Sequence, residues 1–94
     1  MTALITVTKV RPNTVIPYKD PNQPLNCQTW PGFIEITDTT DREDNLAHTI
    51  TYRFQDRSYY ENPTLTAEQL AVKAQGENWC TNNNIIVTID VIDE

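Results

Sequence analysis

Apolar and polar residues alternate first in "LITVTKV", residues 4–10, where Ile5 and Val7 alternate with Thr6 and Thr8. A period of two predicts a strand with one buried face. Pro12 ends it, because proline has no N–H to offer a ladder. "NTVI" is extended again and Pro17 closes it, which predicts a short edge strand or an extended arm. Tyr18 to Gly32 contains Pro21, Pro24 and Pro31 and shows no periodicity, so it reads as an irregular surface segment. Phe33–Thr37 predicts a strand with Ile34 and Ile36 on one face, and "DTTDREDN" a polar turn region. His48–Phe54 predicts another strand, in which His48, Ile50, Tyr52 and Phe54 share a face.

The pattern then changes period. Thr66 and Gln69 stand at the two positions of a capping box, and Leu65 and Leu70 at those of a hydrophobic staple. Ala67, Leu70, Ala71 and Ala74 recur at helical spacing, and Val72, Gly76 and Trp79 continue a second stripe. The prediction is a helix from Thr66 to about Asn82, where a run of asparagines tolerates a left-handed cap. Ile85–Ile92 alternates again, with Ile85, Val87, Ile89 and Val91 on one face. Strand, arm, strand, strand, helix, strand is the order of a small α+β chain. One helix covers one face of a mainly antiparallel sheet of about four strands, an open-faced sandwich. Residues 1–94 form one domain, with an irregular proline-rich segment at about 11–32.

Charge narrows the partners. The net charge is −6 and the seven basic residues are scattered, whereas a phosphate backbone needs a basic stripe, so no nucleic-acid partner is expected. No apolar run approaches the roughly 18 residues of a membrane span, and no membrane partner is expected. The N-terminus lacks the early basic region of a signal peptide, which points to synthesis in a cytoplasm. Cys27 and Cys80 form no CxxC pair. They allow one disulfide or two free thiols, the second being the expectation in a reducing compartment.

Candidate chemistry is sparse. His48 is the only histidine, and its apolar strand face makes it a residue at the edge of the core rather than a general base. Asp38, Asp41, Glu43 and Asp44 lack the central glycine and distal glutamate of a calcium loop, and read as a solvated turn. One histidine and two remote cysteines do not make a zinc set, and no glycine-rich loop cradles phosphate. Cys27 has nothing near in sequence to lower its pKa and reads as an inert thiol. No catalytic, metal or cofactor-binding residue is therefore assigned, and no cofactor is expected. Tyr18, Trp30 and Phe33 flank the proline-rich segment, and Tyr59 and Tyr60 open the loop before the helix. Aromatics on loops either anchor protein–protein contacts or cap a small core.

"ITVTKVRPNTVIPY" resembles the start of small virion structural proteins of tailed phages that infect cyanobacteria. The likeness lies at Ile5–Lys9, Arg11, Pro12 and Thr14, within a pattern I-T-V-T-K-x-R-P-x-T. The polar middle and the strand–helix–strand end follow in the same order. The proline content of residues 18–32, and Gly76 and Trp79 in the helix, depart from the pattern. The resemblance implies a non-enzymatic component of a virion, as capsid decoration or in the tail or neck. It would contact other virion proteins and copies of itself, with no small-molecule substrate. The residues expected to make those contacts are Arg11, Pro12, Val15, Pro17 and Tyr18 on the arm, Trp30 and Phe33 after it, and Tyr59 and Tyr60. A small ligand-binding or monooxygenase-like sandwich enzyme is the alternative, with His48 and Tyr52 as its only candidate pair. A phage-borne inhibitor of a host protein, acidic enough to mimic nucleic acid, is the third.

Overall fold

In the computed structural model, which describes residues 1–94, four strands form one antiparallel sheet. They are β1 (Ala3–Val10), β2 (Phe33–Asp41), β3 (Ala47–Phe54) and β4 (Ile86–Asp93), in the spatial order β2-β3-β1-β4. One turn of helix, α1 (Ser58–Glu61), and a long helix, α2 (Ala67–Asn82), connect β3 to β4. The open-faced α+β sandwich expected from the pattern is the fold observed.

Register decides what each sheet face presents. Asp41, His48, Lys9 and Val87 make one inner row, and Thr39, Ile50, Val7 and Ile89 the next. Then come Ile36, Tyr52, Ile5 and Val91, and finally Phe33, Phe54, Ala3 and Asp93. The outer face carries a row of threonines, Thr40, Thr49, Thr8 and Thr88, with Thr8 and Thr49 hydroxyls 3.2 Å apart. Cross-strand threonine pairs of this kind suit a face that meets water.

The core lies at one end of the inner face. Ala3, Ile5, Cys27, Trp30, Tyr52 and Phe54 form it, and Phe33, Tyr60 and Leu65 pack against it. Two local expectations change here. Shifts of register in β2 between Phe33 and Glu35, and between Ile36 and Asp38, break the simple alternation. Phe33 packs on the core, while Ile34 and Ile36 are both half exposed. Polar residues 38–41, expected in a turn, continue β2 to Asp41, and the turn itself begins at Arg42.

Helix α2 starts as expected. The Thr66 hydroxyl accepts from the Gln69 N–H at 3.2 Å, and the Gln69 side chain accepts from the Thr66 N–H at 2.9 Å. The staple does not form its outer half: Leu70 is 54% exposed, and Leu65 packs on the core. Ala67, Ala71 and Ala74 also face outward, so the stripe turned toward the protein is the second one, with Val72, Gly76 and Trp79.

The reason is what lies under the helix. Residues 11–32 fold back over their own sheet, and α2 rests on them. Gln69 donates to the Thr29 carbonyl at 3.0 Å, and Gln75 to the Asp20 carboxylate at 3.0 Å. The Trp79 indole donates to the Pro17 carbonyl at 2.9 Å, and buried Gln23 donates to the Val72 carbonyl at 2.9 Å. A helix seated on an irregular segment meets backbone carbonyls that need donors, so its inward face is amide-rich rather than apolar. Gly76 makes room for this contact, since a Cβ there would come within 2.6 Å of the Gln23 amide nitrogen.

Candidate functional site

Because the arm carries the helix, the helix does not settle on the sheet. Between them lies a cavity of about 1000 Å³. Its floor is the inner face of the sheet, with Val7, Ile50, Val87 and Ile89. Val87 and Ile89 remain 41% and 49% exposed, although their strand phase turns them inward. The opposite wall is built from Gln23, Lys73 and Gly76, and from Asn26 and Gln28 of the irregular segment.

The end nearest the core is lined mainly by neutral side chains, with Glu61, paired to Arg57, beside them. Cys27, Trp30, Tyr52 and Tyr60 line it. Burial pushes the Cys27 thiol up to about 11, outweighing a hydrogen bond with Tyr52 that lowers it. Burial likewise pushes the Tyr60 phenol up to about 12, and raises Tyr52 above the usual tyrosine range. At neutral pH all three keep their protons. Cys27 and Cys80 are both free and buried, the second of the two arrangements that the spacing allowed. Two polar atoms in this region, Trp30 Nε1 and Asn26 Oδ1, are buried without a partner in the chain. Most buried polar groups are paired, so an orphan donor and an orphan acceptor beside a cavity suit a bound polar group.

The other end is polar. His48 Nδ1 is hydrogen-bonded to the Asp41 carboxylate, and Nε2 has no partner in the chain. The Tyr18 ring lies on the His48 ring, with centroids 5.2 Å apart and planes inclined at 32°. The Arg11 guanidinium also lies over the Tyr18 ring, 4.1 Å from its centroid. One carbonyl organises this stack. The Asn45 oxygen accepts from Arg11 Nε at 2.8 Å, from Arg11 Nη2 at 2.6 Å and from the Tyr18 hydroxyl at 2.6 Å. Asn45 lies at φ 57°, in the left-handed region that asparagine tolerates in a tight turn. The β2–β3 turn and the arm thus hold each other.

The residues singled out in the sequence divide along this cavity. Trp30, only 6% exposed, and Tyr60 belong to the core end, with Phe33 packed behind them. Arg11 and Tyr18 hold the polar end. Pro12, Val15 and Pro17 stay on the surface, and Tyr59 closes over Gly32. His48 and Tyr52, the pair considered for an enzyme, point the same way, but Ile50 stands between them. Four residues of strand separate them by about 13 Å, too far for a shared proton. Lys9 was not singled out, although its phase after Ile5 and Val7 carried the signal. Lys19 and Lys73 gave none, since one sits on an irregular segment and the other on a helix whose inward stripe is not apolar.

No family model matches the chain. No curated protein matches it either. A solved structure does: that of Rv0793 from Mycobacterium tuberculosis superposes with a TM-score of 0.58, covering 98% of this chain and 94% of that one. The two sequences are 13% identical. The likeness is one of fold.

Proposed function

We propose that this chain is a binding protein for a small, largely apolar organic molecule, held between the sheet and the helix. The observation that carries this reading is the uncovered inner face of β4. A small domain has little apolar surface to stabilise it and normally closes over what it has. Here Val87 and Ile89 face a space large enough for a ligand, and side-chain hydrogen bonds to the arm hold the helix above it. Burying the floor is favourable by roughly 25 cal/mol per Å² of apolar surface, and a ligand gains what the helix leaves. Pockets of this kind combine an apolar lining with a few placed polar groups. This reading departs from the sequence-based expectation of a chain without a small-molecule ligand.

The test uses the methyl ester of dansyl-aminoundecanoic acid, a neutral fluorescent probe with a long apolar body. The expected result is saturable binding with a blue-shifted emission. Ile89→Asp puts a carboxylate on the floor at a half-exposed position that folding tolerates, and should weaken the probe about tenfold or more, roughly 1.4 kcal/mol. Equal binding by the folded variant ends the reading.

The outer sheet face favours a second reading, the virion role that the N-terminal resemblance implies. Ile86 and Ile92 stand exposed beside the threonine rows, and no element covers this face. Such a face suits contact between subunits in a repeated array. Mass spectrometry of phage particles assembled in cells that make this chain decides it. Stoichiometric retention is the expected result, and absence from the particles removes the reading.

A further inference from the structure

We infer that the cavity's ligand is an organic acid: an apolar body on the sheet floor, and a carboxylate at the end of the cavity where Lys9, Lys19 and His48 stand. The inference rests on the reading of the cavity as a binding site, and adds the class of molecule it takes.

The cations carry it. The chain has 13 carboxylates against seven lysines and arginines, so a randomly placed cation on its surface finds an acid nearby. The arginines behave that way. Arg42 pairs with Asp44, Arg53 with Glu35 and Glu94, and Arg57 with Glu61 and Asp93. Arg11 is taken up by the Asn45 and Ile16 carbonyls and the Tyr18 ring. The lysines behave differently. There are three in the chain, and all three line the cavity. Lys73 is paired with Glu77 at 2.6 Å, whereas Lys9 and Lys19 have no carboxylate within ion-pair distance.

Placement makes the two free cations a site. Lys9 is the direct cross-strand partner of His48 on the inner face, and Val87 flanks it on the other side. Its backbone therefore stands at the polar end of the floor, its stem lies in the cavity, and its charge is felt as far as the Cys27 thiol. Lys19 follows Tyr18, whose ring covers His48. The carboxylates that line the same cavity are Glu61, which shares Arg57 with Asp93, and Glu77, which pairs with Lys73; Asp41, beside the polar end, is held by His48. A concave wall of low polarity concentrates the field of the cations left over. An anion with an apolar tail satisfies both ends of this cavity together. A neutral molecule leaves the lysines unused, and a cation is repelled by them.

The experiment compares dansyl-aminoundecanoic acid with its methyl ester, two probes of one body that differ in charge. The double variant Lys9→Gln, Lys19→Gln removes both charges and leaves polar side chains one atom shorter. It should weaken the acid about tenfold and leave the ester within about twofold, as expected for loss of charge-assisted contacts. Added salt should weaken the acid alone. Lys9→Arg with Lys19→Arg should restore the acid, which separates lost charge from damaged folding. If the ester binds the wild type and the acid is indifferent to the double Gln variant, the inference is overturned while the cavity reading stands. If neither probe binds the wild type, both fall.

Discussion

Phe54→Ala should remove about 3–5 kcal/mol of stability, the range for truncating a fully buried aromatic. Phe54 is completely buried. Its ring meets Phe33 and Tyr60 edge-on, with centroids 5.6 Å and 5.7 Å away, and Ile5 and Tyr52 complete its surroundings. The aromatic pairs add to the loss, since edge-to-face contacts are favourable beyond the area they bury. A 94-residue domain is stable by roughly 5–14 kcal/mol in all, so the change takes a large share of the total. The urea midpoint should fall steeply at nearly constant slope. A loss below about 1 kcal/mol would show that this end of the sheet is not the core.

Gly32→Ala should be nearly as damaging, for a different reason. Gly32 has φ +83°, and a Cβ on it would overlap the Tyr59 ring, lying 2.6 Å from Cδ2 and 2.8 Å from the tyrosine Cβ. A non-glycine residue in this region strains the backbone by about 1–3 kcal/mol, and overpacking adds about 1–3 kcal/mol more. The expected loss is about 3 kcal/mol. Gly32 cannot drift to relieve it, because its carbonyl accepts the Gln55 N–H at 2.7 Å and so anchors the end of β3. The double variant with Tyr59→Ala separates the two causes. Removing the ring should return most of the steric part, leaving the contact with the residue 59 Cβ and the backbone part, so the two losses should not add. Full additivity would place the whole effect in the backbone. Because Trp30 and Tyr60, close in sequence to Gly32 and Tyr59, pack on each other and line the cavity, probe binding should weaken in the single variant as well.

How far the site could be read from the chain varies residue by residue. His48 was assigned to the right face, because alternation along one strand needs no knowledge of its neighbours. Its partner Asp41 reads as part of a turn, since a polar run of aspartates and threonines carries no strand signal when the face it forms is solvated. Only pairing with β3 makes that run a strand and sets Asp41 opposite His48. The helix was legible through its cap, because the Thr66–Gln69 reciprocal bonds are local. Its orientation was not. The apolar stripe of Ala67, Leu70, Ala71 and Ala74 suggested packing on a sheet, and the arm beneath the helix reversed that choice.

Local chemistry thus determined the start of α2 and the parity of β1, β3 and β4, because capping and alternation act within a few residues, whereas the end and the parity of β2 depended on its pairing with β3. Tertiary structure decided what those elements enclose. Residues 11–32 carry no period that says where they lie, and their backbone carbonyls had to find donors after collapse. They found them in Gln69 and Trp79, and Gln23 reached back from the segment to the helix. That choice lifted α2 off the sheet, opened the cavity, and brought Lys9, Lys19 and Lys73 from three separate parts of the chain to its walls.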